Sequence, residues 1–349
     1  MDVLMIANPN STTHTDALFH RIVPGLREVS GLRLRTCFTH RPGHAEDLCR
    51  GLRRSDYDVI LIVGGDGTVN EAINGLLGPV RADDDLRARE QSPLPALAII
   101  PTGSANVFAR AVGIPSDPVA AAKDLAVLLA GNRRRRVCLG TWNDRWFAVN
   151  AGFGVDAEVI ARIERARARG FAATPLRYLI VSLRAWASAQ RQPPAMSARV
   201  VDRAGETHRI PRVPLCLVSN TNPWTFLGPV PVVTNPRNSF DNGLSLFALR
   251  SVRGVRGVAA MLHLVGVGHR PRWEEWISDR IVSVDDAREI TLACAGPQRF
   301  QVDGEYEGEY EQVRLRAVPG AIEVVAREHT PAPGPRRWRS ILRSVVCAR

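Results

Sequence analysis

The stretch VILIVGGDGTVNEAINGLL, residues 59–77, decides the fold. Val59–Val63 is a fully apolar run, too short for a helix and bounded by glycine, so it reads as a buried parallel strand. Gly64-Gly65-Asp66-Gly67-Thr68 turns the chain, and Val69–Leu77 reads as a helix. Glycines let the backbone turn tightly and approach a ligand, because a Cβ would obstruct both. The free N–H groups at the helix start favour phosphate. Asp66 does not help phosphate directly; a carboxylate there suits orienting Mg²⁺ or accepting a proton, and Thr68 can donate to a phosphate oxygen. Read alone, the glycines fit a plain strand–turn–helix corner equally well.

The neighbouring sequence repeats this rhythm. In LAIIPTGSANVFARAVGIP, residues 97–115, a buried strand (Leu97–Ile100) leads into Pro101-Thr102-Gly103-Ser104 and a helix over Ala105–Val112. Upstream, Val3–Ala7 reads as a strand followed by the polar turn Asn8–Thr12 and a helix to about Val29. Leu32–Thr39 then alternates as a strand, and His44–Arg54 reads as a helix. Strands alternating with helices predict a parallel α/β sheet with right-handed crossovers, whose ligands bind beyond the carboxyl ends of the strands. Two Gly/Thr/Ser turns at adjacent strand ends, with Asn8–Thr12 as a third, make one basin suited to a nucleotide.

Residues 78–95 lose periodicity and read as an exposed loop. After Arg133–Arg136 the pattern becomes β-rich, with hairpins expected around Asn143-Asp144 and Ala204-Gly205. One helix interrupts it, with Thr174 as N-cap, Pro175 in the first turn and an apolar stripe to Ala187. The tail from Pro331 is Pro-rich and then basic; RRWRSILRSVVCAR can form an amphipathic helix suited to an anionic membrane, or be a disordered basic end. The reading is therefore an α/β domain over residues 1–135, a β-rich domain from about residue 136, and a tail over 331–349.

A length of 349 residues suits two domains. With 45% hydrophobic and 23% charged residues, the composition is that of a soluble globular protein. No apolar run approaches the ~18 residues of a membrane span, and MDVLMIAN has no leader signature. The six cysteines are scattered singly, which fits structural thiols in a reducing compartment. Net charge is +11, and all basic residues but Lys123 are Arg. That balance favours anionic partners, but without aromatic interleaving or a known module it does not argue for nucleic acid. No GxSxG elbow supports Ser-based hydrolysis.

GGDGTVNEAING, PTGSANVFAR and the opening NPNST together resemble the catalytic domain of diacylglycerol kinases, a family that includes sphingosine, ceramide and soluble bacterial lipid kinases. GGDGT alone also occurs in NAD kinases and phosphofructokinases. The resemblance continues through NAGFGVDAEV (150–159), DNGLSLFAL (241–249) and VDGEYEGE (302–309). It implies an N-terminal parallel-sheet α/β nucleotide domain, NAD kinase/diacylglycerol kinase-like, with a C-terminal antiparallel β-sandwich-like domain; the segment at about 312–330 then returns to the first domain, leaving residues 136–311 to the second. The resemblance further implies ATP binding by Asn8, Pro9, Asn10, Ser11, Thr12, Thr39, Gly65, Asp66, Gly67, Thr68, Val69, Asn70, Glu71 and Ser104. Asp66 matches an acidic residue near the phosphates and Mg²⁺, and Glu305 a general base that takes the lipid hydroxyl proton. Read alone, Asp303-Gly304-Glu305 is a hairpin turn. Ser239, Asn242 and Leu244 match a structural Mg²⁺ loop; it reads Asp241-Asn242-Gly243 where relatives often show Asp-Asp-Gly, and Val107 stands where soluble bacterial members tend to carry Asp.

The implied activity is ATP-dependent phosphorylation of a lipid hydroxyl, diacylglycerol first, by a cytoplasmic protein that meets its substrate peripherally at a membrane; a homodimer is open. A sphingoid-base, ceramide or other lipid-alcohol kinase would share the phosphate machinery. A non-catalytic lipid- or nucleotide-binding homologue is the rival outside enzymology.

Overall fold

The computed structural model describes residues 1–11, 16–80, 93–154, 157–158, 160–161, 196–227, 230–264 and 271–328. The expected helix over 174–187, the basic tail, most of the loop over 78–95 and Thr12 lie outside them. The chain divides into two compact units, one formed by Met1–Ala148 with Val318–Pro331, the other centred on Val149–Ala317.

The first unit is α/β, with a parallel sheet. Strands β1 (Asp2–Ala7), β2 (Arg33–Phe38), β3 (Val59–Gly64) and β4 (Ala96–Pro101) pair in the order β2-β1-β3-β4. Every residue of β3 and β4 is buried, as the unbroken apolar runs require. The register aligns the carboxyl ends: Ala7 lies beside both Phe38 and Val63, and Gly64 beside Pro101. The order reverses at β1, so the crevice between β1 and β3 is the switch point where such sheets take ligands.

Helices α1 (Asp16–Arg27), α2 (His44–Cys49), α3 (Asp66–Leu77), α4 (Val107–Ala111) and α5 (Pro118–Ala130) complete the α/β pattern. Helix α2 is shorter than expected, because Arg50 turns extended and Gly51 takes φ +76°. Helix α4 begins two residues late, since Asn106 occupies the left-handed region. The sequence reading missed α5, although Asp117 caps it by accepting from Ala120 N at 2.8 Å and Pro118 fills its first turn. Strands β5 (Arg135–Trp142) and β6 (Arg145–Phe147) form the hairpin expected at Asn143-Asp144. Within this unit Val324 pairs in parallel with Leu97. Two arginines of the run Arg133–Arg136 are engaged there: Arg134 pairs with Glu323 at 3.4 Å, and Arg136 donates to Gly320 O at 2.8 Å.

The second unit is mainly antiparallel. It comprises β7 (Asn150–Gly154), β8 (Met196–Asp202), β9 (Thr207–Val213), β10 (Leu215–Ser219), β11 (Thr225–Leu227), β12 (Val230–Val232), β13 (Leu244–Leu249), β14 (Ile281–Val302) and β15, which begins at Glu305. The start of β14 pairs with β13 and its end with β7, so β13, β10, β7 and β14 close a ring in which one long strand serves both layers. The hairpin expected at Ala204-Gly205 joins β8 and β9. Strand β6 ends at Phe147, and β7 begins at Asn150. Two helices, α6 (Gly254–Leu264) and α7 (Pro271–Ile277), were also missed. Helix α6 buries Ala259, Ala260 and Leu264 against Leu217, Phe247 and Leu249. Two glycines thin its apolar stripe, and one of them, Gly257, is needed because a Cβ would lie 2.2 Å from Val252 O.

Candidate active site

The aligned strand ends of the first unit deliver Asn8, Thr39, Gly65 and Thr102 to one rim. The ladder continues one step past the strands: Asn8 N donates to Val63 O, Thr39 N to Ala7 O and Thr102 N to Gly64 O, all at 2.9–3.0 Å. Asn8 spans the switch-point crevice by donating to Thr68 Oγ1 at 3.3 Å, and its Oδ1 accepts from Asn10 N at 2.9 Å. Ser11 Oγ and Thr102 Oγ1 lie 2.8 Å apart. The three turns of the expected basin are thus one hydrogen-bonded constellation.

At its centre two glycines meet. A Cβ on Gly103 would lie 2.6 Å from Gly65 Cα, and one on Gly65 would lie 3.1 Å from Gly103 Cα. Backbone faces backbone, so a side chain at 103 would collide outright, and one at 65 would require Gly103 to give way. Asn106 fixes the second turn by closing a reciprocal loop on Gly103: its Oδ1 accepts from Gly103 N at 2.9 Å, and its Nδ2 donates to Gly103 O at 2.7 Å. Gly65 is the N-cap of α3 and offers no side chain to the N–H groups of the first turn. Backbone donors, the positive end of α3 and a floor without side chains make a cradle for an anion of phosphate size.

The two acidic residues of this segment have structural partners. Asp66 Oδ2 accepts from Val107 N at 2.9 Å and Oδ1 from Phe108 N at 3.0 Å, so its carboxylate caps α4 and ties the two turns together. Glu71 does the same for α2, accepting from Gly43 N at 2.8 Å and Ala45 N at 3.1 Å. Asn70 donates to Trp146 O at 3.1 Å, and Asn74 brackets the same residue by accepting from Trp146 N at 2.9 Å. Val69 is buried, so its side chain packs in the core rather than at the rim. Ser104 is exposed on the second turn, while Gly67 and Thr68 open α3. Thr102, Gly103 and Asn106 carry the geometry here, yet the sequence reading did not single them out as binding residues. Their signal was the repeat of a Gly/Thr turn one strand along.

In the second unit Val302 pairs with Glu305, leaving Asp303-Gly304 as a two-residue loop with φ of 49° and 85°. Positive φ at both positions is the tight hairpin turn whose twist matches the strands. Asp303 anchors it, its Oδ1 accepting from Val149 N at 2.8 Å and Asn150 N at 3.0 Å. Gln301 accepts from Gly304 N at 2.9 Å and donates to Asn150 Oδ1 at 3.0 Å. Glu305 therefore stands exposed on a rigid turn.

The loop of Ser239, Asn242 and Leu244 is held by side chains. Asp285 accepts from Arg237 Nε and Nη2 at 2.9 and 2.7 Å and from Asn235 Nδ2 at 2.7 Å. Asp286 accepts from Gly243 N at 2.7 Å, and Asn242 donates to Arg237 O at 3.1 Å. A hydroxyl, a carboxamide and a backbone carbonyl are neutral donors; the carboxylates of Asp285 and Asp286 are engaged in these bonds, and Asp241 stands in the loop itself.

Residues 2–142 match the family model of the diacylglycerol kinase catalytic domain. The diacylglycerol kinase of Staphylococcus haemolyticus (strain JCSC1435) is 35% identical over 147 residues, which is 41% of this chain and 38% of the relative. That of Bacillus subtilis (strain 168) is 34% identical over 127 residues, 36% of this chain and 37% of the relative. The chain thus spans well under half the length of the curated relatives it matches. A crystal structure of a diacylglycerol kinase from Bacillus anthracis str. Sterne covers 94% of this chain and 97% of its own, at TM-score 0.63 and 20% identity. A further structure from the same strain reaches TM-score 0.69 at 24% identity, covering 94% and 95%. At these identities the likeness is one of fold. The segment that matches this family model contains the whole glycine-floored constellation, from Asn8 to Asn106. Among the described residues, no helix is long and apolar enough to cross a membrane.

Proposed function

We propose that this chain transfers the γ-phosphoryl group of ATP to a lipid hydroxyl, with diacylglycerol as acceptor and phosphatidic acid as product. The observation that carries the reading is the contact of Gly65 and Gly103 beneath the open N-terminus of α3, inside the segment that matches the catalytic domain. The triphosphate is assigned to the turns Asn8–Thr12, Gly65–Glu71 and Ser104, with Thr39 at the rim. ATP brings Mg²⁺ on its phosphates, and the ion supplies charge neutralisation; Asp66 is the carboxylate of the basin that would face it. Glu305 is assigned as general base. The acceptor oxygen attacks the γ-phosphorus, the bond to the bridging oxygen breaks, ADP leaves with that electron pair, and the hydroxyl proton passes to Glu305. A protein with this acceptor works at a membrane surface, which fits a peripheral cytoplasmic enzyme.

Labelled ATP offered with a panel of diacylglycerol, ceramide, a sphingoid base and NAD tests the reading. Label is expected in diacylglycerol, and Glu305→Gln is expected to lower the rate about 10²-fold or more while ATP still binds. Label in another lipid alcohol would move the acceptor assignment. No labelled product from any of them would return the chain to a binding role.

A further inference from the structure

The turn that presents Glu305 is fastened by a chain of buried amides. Gly304 N donates to Gln301 Oε1 at 2.9 Å, Gln301 Nε2 donates to Asn150 Oδ1 at 3.0 Å, and Asn150 Nδ2 donates to Trp224 O at 2.9 Å. Gln301 is 1% exposed and Asn150 6%. The N–H groups all point the same way along this chain, so each bond polarises the next. Its two ends also fix how both carboxamides are turned. The N–H of Gly304 needs an oxygen and the carbonyl of Trp224 needs a donor, and one orientation of Gln301 and Asn150 serves both.

Asn150 holds the same turn through its backbone. Its N donates to Asp303 Oδ1 at 3.0 Å, and its O accepts from Asp303 N at 2.9 Å. Every polar group of this residue is therefore engaged in one fastening. Asn150 opens β7, which pairs with β10 through Ser219 and with the end of β14 through Ala151 and Val302. At the far end of the chain, Trp224 packs on the apolar cluster of Leu217, Val232 and Phe247. Filling this space does not require amides: apolar side chains of similar size would do so without the cost of burying polar groups. What the amides add is direction. A satisfied polar chain holds one geometry, and a general base must come within roughly 2.6–3.2 Å of the hydroxyl whose proton it takes.

We propose that Gln301 and Asn150 are positioning residues for Glu305, holding its turn in fixed relation to the segment of Trp224. The inference rests on the assignment of Glu305 as general base. Both residues are buried, so they act through where the carboxylate stands. A displacement of about 1 Å at such a group is enough to cost up to about 100-fold in rate.

Kinetics in two backgrounds test it. Gln301→Met keeps the length of the side chain and removes both of its bonds. It is expected to lower kcat about 10- to 100-fold while KM for ATP holds within about twofold. In the Glu305→Gln background the same substitution is expected to cost less than about twofold, because a group that acts through the base then has nothing left to position. Hydrogen exchange at Gly304 in the full chain is expected to quicken in Gln301→Met. Asn150→Ala leaves Gln301 free to accept from Gly304 N, so a smaller loss of the same kind is expected; it takes the place of Gln301→Met if that variant does not fold. Equal losses in both backgrounds, unchanged exchange at Gly304, or a folded Gln301→Met with wild-type kcat would overturn the inference and leave the kinase reading in place. A near-normal rate in Glu305→Gln, or wild-type protein inert on every lipid alcohol, would overturn both.

Discussion

Asp66 shows how a single carboxylate serves two levels of the structure. Its chemistry suggested a place near Mg²⁺, yet both of its oxygens accept backbone N–H groups from α4. Replacing it with Ala should strand two donors and cost about 1–2 kcal/mol, read as a lowered urea midpoint. Asp66→Asn keeps one oxygen acceptor and should cost less. If both variants unfold at the wild-type midpoint, the capping role is wrong; if Asn alone abolishes phosphotransfer at normal stability, the carboxylate acts on the reaction itself. The same residue shows what the sequence withholds. Asp66 and Glu71 could be recognised as acidic residues at a helix start, but the N–H groups they meet lie some 40 residues downstream and 26–28 upstream. Partners that distant are set by the sheet order, which no local pattern encodes.

Among elements, the parallel strands were legible because burial on both faces leaves unbroken apolar runs such as Val59–Val63 and Leu97–Ile100. The hairpins at Asn143-Asp144 and Ala204-Gly205 were legible through their turn residues. Helix α5 carried clear start signals in Asp117-Pro118, but its body is so rich in Ala, Val and Leu that no polar face marks a period. Asp117→Ala should lower global stability by about 1 kcal/mol through loss of the bond to Ala120 N, measurable by chemical denaturation. An unchanged midpoint would mean that α5 is held by packing alone. Helix α6 was hidden by its two glycines, which local propensity counts against, while packing on Val252 requires one of them, Gly257. Of the hairpin that presents Glu305, the turn itself was readable, whereas its anchoring by Asp303 on Val149 and Asn150 depends on residues 154 and 153 positions away.

At the scale of the whole molecule, burial shifts two thiols, Cys49 in the first unit and Cys216 in the second. Burial pushes Cys49 up to about 12, with the negative charge of Glu71 adding to it, and burial alone pushes Cys216 to about 12. The unfolded chain releases both protons near 9.0, the ordinary value. Between those limits the folded state binds more protons than the unfolded one, so stability is full below pH 9 and falls as pH rises towards 12. The slope is at most about 1.4 kcal/mol per pH unit for each thiol. Denaturation midpoints followed from pH 8 to 11 should show the decline, and Cys49→Ala with Cys216→Ala should flatten it; an unchanged slope in that variant would assign the decline to other groups. The meeting of Gly65 and Gly103 has a different reach. Most core contacts can drift over generations, one partner shrinking as the other grows. Two glycines in contact have no smaller neighbour to trade with, so a side chain gained at 103 finds no compensating loss at 65, 38 residues away. They form an evolutionary dead bolt, and their constancy in any lineage that keeps this basin would leave no trace in methods that find contacts from correlated change.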